Sequence, residues 1–316
     1  MSRRTRPSAP ARLRPFLVAC AAVPLLLTGC AAGEEDRGSV VVTTNILGDV
    51  TREIVGDQAE VTVLMPPGAD PHSFGVSARQ AAGIERAGLV VHNGLGLEEG
   101  IARHVDAAEG QDVPTLAVGE GVDPLPYTSD AMEGQPDPHF WTDVERMEAA
   151  VQLISDAVVE HVPGVDEAAV RENTEDYLGE LAELDTWMTE RFAEIPEERR
   201  DLVTNHHVFG YLADRHDFHV VGAVIPSGTT LASPSASDLD SLAGAIREHD
   251  VPAVFADSSQ PDRLAEVLAE EAGLDVEVVA LHSESLTDEG GGAATYAEMM
   301  RANTDAIVDA LAPAAR

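Results

Sequence analysis

The chain has no lysine: all 20 of its basic residues are arginine. Without lysine no side chain can form a Schiff base or fill the place of a Walker-type phosphate lysine. Basic residues of any kind are scarce beside the 56 acidic ones, and the formal charge is −36. So negative a surface repels phosphate backbones, which excludes nucleic acid as a natural partner and draws cations weakly. Cysteine is nearly missing as well, with only Cys20 and Cys30 present. The apolar run from Phe16 to Leu27, broken by Pro24, falls short of the roughly 20 residues that a membrane-spanning helix needs. Apolar residues are not in short supply: at 44% of 316 residues, they can build a core, and the length suits two domains.

That short apolar run follows Arg3, Arg4, Arg6, Arg12 and Arg14, with no acid among them. A basic leader before a short apolar stretch reads as a secretory signal over residues 1–29. It ends in Leu27-Thr28-Gly29-Cys30, which resembles a bacterial lipobox, where the cysteine is lipidated and becomes the new N-terminus. Cleavage there takes the formal charge from −36 to −41 and leaves Cys30 as the single cysteine. The exported chain then has no disulfide and no thiolate site for zinc. Residues 30–38 read as a short polar tether.

Beyond Ser39, β-branched runs alternate with helical patterns. Strands are expected at 40–44, 60–65 and 89–93, and helices near 47–56, 77–87 and 143–161, the last capped by Thr142 or Asp143. The alternation returns with strands at 201–205, 219–224, 252–257 and 276–281, and helices near 208–216, 235–249, 261–273 and 295–311. Strands joined by helical crossovers imply parallel sheets. Between the two halves, residues 166–194 hold no proline and one glycine, Gly179. Tyr177, Leu181, Leu184, Trp187, Met188 and Phe192 recur there at helical spacing and form one apolar stripe. The fold expected is α/β: two Rossmann-like lobes with mostly parallel sheets, at 39–165 and 196–316, joined by a single long helix at 166–195. That helix offers no evident hinge.

Asp-Pro-His occurs twice, at 70–72 and 137–139. Proline fixes the backbone ahead of each histidine and restricts the aspartate before it. His206 follows the strand at 201–205, and Glu284 lies three residues past the strand at 276–281. Loops at strand ends are where open α/β sheets bind ligands. His72, His139, His206 and Glu284 make a sensible four-ligand set for a borderline cation such as zinc. His207 and His282 adjoin two of these and compete with them. His92, His104, His161, His216, His219 and His249 lack such a loop context and read as surface or capping residues.

Several ordered motifs carry a family resemblance: VVTTNILGDVTREIVGD, LMPPGADPHSF, AGLVVHNGLGLE, DPHFWTD, LVTNHHVFGYLADRHDF, SPSASDLDSL and ALHSESL. Over about residues 40–312 the chain resembles the zinc/manganese solute-binding lipoproteins of bacterial ABC importers, the group whose two lobes are joined by one rigid helix. The resemblance implies a metal site in the cleft between the lobes, with His72, His139 and His206 as imidazole ligands and Glu284 as the carboxylate. It therefore ranks His206 over His207 and Glu284 over His282. It also implies an ABC permease as partner, a monomer touching the membrane only through a lipid on Cys30, and an extracytoplasmic location. The chain departs from the pattern in three places. Glu284 stands for the usual Asp, Asp257 for a frequent Glu, and His207 for a frequent Asp. The stretch 120–136 is acidic but lacks the histidines that many zinc members carry there.

One Zn2+ per chain is expected, with Mn2+ as the alternative, because three imidazoles suit zinc better than the oxygen-preferring manganese. An enzyme is not expected. A secreted zinc hydrolase would need an open coordination position and a general base, and neither HExxH nor GxSxG occurs. An adhesion lipoprotein would not need four convergent ligands.

Overall fold

The computed structural model of the chain describes residues 38–128, 132–259, 265–267 and 276–313. The signal read at 1–29, the lipidation site expected at Cys30, most of the expected tether and most of the helix expected near 261–273 lie outside those residues.

The first lobe runs β1 (Ser39–Val42), α1 (Asn45–Val55), β2 (Glu60–Val63), α2 (Ala78–Ile84), β3 (Leu89–His92), α3 (Ala102–Glu109), β4 (Thr115–Ala117), α4 (Val118–Gly121) and α5 (Val144–His161). Its strands form one parallel sheet in the order β2-β1-β3-β4. The chain then enters α6 (Glu167–Phe192). The second lobe runs β5 (Asp201–Thr204), α7 (Gly210–His216), β6 (His219–Ala223), α8 (Ala236–His249), β7 (Ala253–Asp257), β8 (Glu277–Leu281) and α9 (Tyr296–Leu311). It repeats the topology, with a parallel sheet in the order β6-β5-β7-β8. In each sheet the strand order reverses beside the first strand, which opens a crevice at the carboxyl ends.

Alternation along the strands decides which face meets which helices. Val40, Val42, Leu89 and Val91 face one core, while Val41 and Val90 face another under α2 and α3. In the second sheet Leu202, Ala253, Phe255 and Leu281 face the first of these cores, and Val203, Val254 and Ala256 face α8. One apolar core thus runs through both lobes. Gly48 lets α1 lie close on the sheet, since a Cβ there would run into the Val63 side chain.

α6 belongs to that shared core. Val170, Thr174, Tyr177, Leu181, Leu184, Met188 and Phe192 are buried at three- and four-residue spacing, and the helix packs on α1, α5 and α9. Asp166 caps it by accepting the Ala168 N–H. Its 26 residues span about 39 Å at 1.5 Å each. The helix ends earlier than the 195 expected, because residues 193–195 form a turn. Trp187 is only half-buried, with the Arg301 guanidinium 4.8 Å from its ring centroid.

Candidate metal centre

Each functional loop leaves the carboxyl end of a strand or leads into a helix. His72 lies in the turn after β2, and His139 directly precedes the 3-10 turn Phe140–Thr142 that leads into α5. His206 sits two residues past β5 and Glu284 three past β8. All four side chains are buried, at 3%, 0%, 0% and 1% exposure in that order, although histidine and glutamate ordinarily seek water.

Their tips converge. Glu284 Oε1 lies 2.9 Å from His206 Nε2, 3.5 Å from His139 Nε2 and 3.9 Å from His72 Nε2. The Nε2 atoms of His72 and His139 are 3.4 Å apart. Both carboxylate oxygens of Glu284 and both ring nitrogens of His206 are buried with no hydrogen-bond partner among the described residues. A buried polar atom left unpaired costs about 1–3 kcal/mol, more if charged, so this cluster is costly unless a cation satisfies it. Burial pushes the Glu284 carboxyl up, but His139, His206 and His72 outweigh it and hold it well below the usual carboxylate range. Burial pulls His72 down; Glu284, with Asp70 and Glu99, more than compensates and leaves it above the ordinary imidazole value.

The aspartates of the two Asp-Pro-His tripeptides act alike. Asp70 Oδ1 accepts the backbone N–H of His72 at 3.0 Å, and Asp137 Oδ1 accepts that of His139 at 2.9 Å. Each is an Asx turn with proline at its middle, which locks the loop carrying the imidazole. Asp137 Oδ1 also receives the His139 Nδ1–H at 2.7 Å, so Nε2 keeps its lone pair for the centre. Asp70 Oδ2 accepts from Thr230 at 2.7 Å, which ties the first loop to the second lobe.

Behind Glu284, buried Asp257 accepts from the Ser283 hydroxyl, the Ser259 hydroxyl and, at 2.7 Å, the Ser259 N–H. Burial first, and then the Glu284 charge, push its carboxyl up. The Trp141 indole N–H donates to the Ser283 carbonyl at 2.8 Å, and the Tyr296 hydroxyl donates to the Trp141 carbonyl at 2.8 Å. The loop bearing Glu284 is thereby held by both lobes. Sequence reasoning did not reach Trp141 or Thr230, whose partners are remote in the chain, and it marked Asp257 only as a departure from the family pattern, without a role. Asp70 and Asp137 carried a signal, since aspartate before proline favours turns.

The competitors point elsewhere. His282 Nδ1 meets the Ser258 hydroxyl at 3.0 Å, and its backbone is clamped by Asn303. His207 gives its backbone N–H to Ser227 and lines a separate depression with Leu125 and Phe209. His216, expected at the surface or as a cap, is instead buried against Phe192 at 4.8 Å between ring centroids. The last turn of α7 is pressed onto the end of α6 there.

Comparison with known proteins agrees with this architecture. The family model for the periplasmic component A of zinc-uptake complexes matches residues 40–310. The manganese-binding lipoprotein MntA of Halalkalibacterium halodurans is 31% identical over 92% of this chain and 95% of its own length. The zinc-binding protein TroA of Treponema pallidum is 31% identical over 95% of this chain and 99% of its own. The solved TroA structure matches with a TM-score of 0.79 at 29% identity, covering 87% of this chain and 99% of TroA's. The iron-binding protein YfeA of Yersinia pestis is 31% identical over 85% and 84% of the two chains. This chain belongs to the family of periplasmic zinc-uptake components, the solute-binding proteins of metal ABC importers.

Proposed function

We propose that this chain captures one divalent transition metal, zinc ahead of manganese, at His72, His139, His206 and Glu284, and hands it to the permease of its importer. The observation that carries this reading is the Glu284 carboxylate, fully buried, without a hydrogen-bond partner among the described residues and facing three Nε2 atoms. Three imidazoles and one carboxylate complete the tetrahedral shell that zinc prefers and leave no open position of the kind a catalytic zinc keeps. Transport rather than hydrolysis follows from that closed shell. Two ligands come from each lobe, so the metal bridges them, and separating the loops against the permease would release it. The chain acts as a monomer in this reading. A signal at 1–29 exports it, a lipid on Cys30 anchors it, and residues 30–38 tether the lobes at 39–165 and 196–316 to the membrane surface.

Manganese is the second reading. Both Glu284 oxygens lack hydrogen-bond partners among the described residues, so the carboxylate can bind through both and raise the coordination number toward what manganese favours. Metal analysis of protein purified without added metal, followed by competition between zinc and manganese, separates the two. One zinc per chain, not displaced by equimolar manganese, is expected. Protein that takes up neither ion in stoichiometric amount overturns the reading.

A further inference from the structure

A second group of metal-ligating side chains lies at the other end of the second sheet. Asp201 opens β5, His219 opens β6 and His249 closes α8. Parallel pairing sets Asp201 beside His219, and α8 packs on β6, which brings His249 to the same spot. His206 and Glu284 follow the far ends of β5 and β8, so the two groups sit at opposite edges of one sheet.

The geometry is that of a chelate. His219 Nδ1 lies 3.0 Å from Asp201 Oδ1, and His249 Nδ1 lies 3.1 Å from Asp201 Oδ2. The ring centroids are 5.6 Å apart, and the three ligand atoms all fall within 4.8 Å of one another. Two ligands on a tetrahedral zinc with bonds of 2.0–2.1 Å stand about 3.3 Å apart, so small side-chain movements suffice to admit the ion. Both imidazoles turn the same nitrogen toward one carboxylate, although each is a surface residue free to face water. The side chains are 64%, 37% and 23% exposed for His219, His249 and Asp201, which leaves room for water to complete the shell. Glu198 and Asp250 line the adjoining depression and add negative charge, while Arg199 opposes it. Two imidazoles select zinc over magnesium or calcium.

We propose that Asp201, His219 and His249 form a second zinc site, open to solvent at the base of the second lobe, independent of the interlobe centre and weaker than it. It has three protein ligands rather than four and pays for no buried, unpaired carboxylate. Zinc titration of the full chain by equilibrium dialysis, with excess magnesium to occupy scattered surface carboxylates, tests this. Two zinc ions per chain are expected, and the double variant His219→Ala, His249→Ala should keep the tighter ion and lose the weaker. In the parent itself, the imidazole NMR signals of His219 and His249 should move with the second equivalent of zinc and not with the first. Saturation at one zinc, a second zinc that survives in the double variant, or unmoved signals from these two rings would overturn the proposal.

Discussion

Asp137 grips His139 twice, accepting its Nδ1–H at 2.7 Å and its backbone N–H at 2.9 Å with the same oxygen. One carboxylate therefore sets both the path of the loop and the tautomer of the ring. Removing such an outer partner typically costs about 10–100-fold in metal affinity. Asp137→Ala should weaken zinc by that order in a chelator competition, and Asp137→Asn should fall between it and the parent. Unchanged affinity in Asp137→Ala would mean that another contact, such as the Tyr127 hydroxyl 3.4 Å from His139 Nδ1, orients the ring alone.

The four proposed ligands should not be equal. Glu284→Ala opens an oxygen position that water can refill, whereas His139→Ala removes a nitrogen that water replaces poorly. Zinc affinity is expected to drop in both and further in His139→Ala. Glu284→Asp should show whether the longer side chain is needed to reach the three imidazoles. Affinity that is unchanged in Glu284→Ala but lost in His282→Ala would contradict the placement of His282 against Ser258.

The paired tripeptides, the strand-end loops and the stripe of α6 were all legible in the chain, because each is a local pattern with a local cause. The lobes' common strand order was not, since it repeats in topology without repeating in sequence. β4 is three residues long and α3 lacks a capping side chain, so neither announces itself. Asp201, His219 and His249 are separated by up to 48 positions and meet only because three elements converge on one sheet edge. His216 looked like a surface residue because nothing nearby in the chain reveals that Phe192 covers it.

Zinc affinity should fall in acid. Protons and metal compete for the imidazoles, and in the metal-free protein His72 holds its proton more tightly than free histidine does. Binding is therefore unopposed well above the ordinary value of about 6.5 and weakens as pH falls through the raised His72 value and below. Calorimetric titrations from pH 8 to pH 5 in matched buffers should show a steep loss and proton release on binding. A flat profile would exclude a histidine-rich centre.

His216 should make the fold itself acid-sensitive. Burial, then Arg215 and Arg200, push its imidazole down to about 4, and its Nε2 is buried without a hydrogen-bond partner among the described residues. The folded state keeps the ring neutral, while the unfolded chain takes up a proton near 6.5. Stability is thus at its full value above about pH 6.5 and is lost as pH falls toward 4, by up to about 3 kcal/mol. Denaturant unfolding of metal-free protein at pH 7 and pH 4.5 should show a larger loss for the parent than for His216→Gln. Equal losses would mean that the ring is protonated inside the fold.

X-ray absorption at the zinc edge, on the full chain loaded with one equivalent of zinc, tests the central claim most directly. Three imidazole nitrogens and one or two carboxylate oxygens at about 2.0–2.2 Å are expected, with one imidazole lost from the shell in His139→Ala. A shell of oxygens alone, or one with three imidazoles that His139→Ala leaves unchanged, would contradict the account.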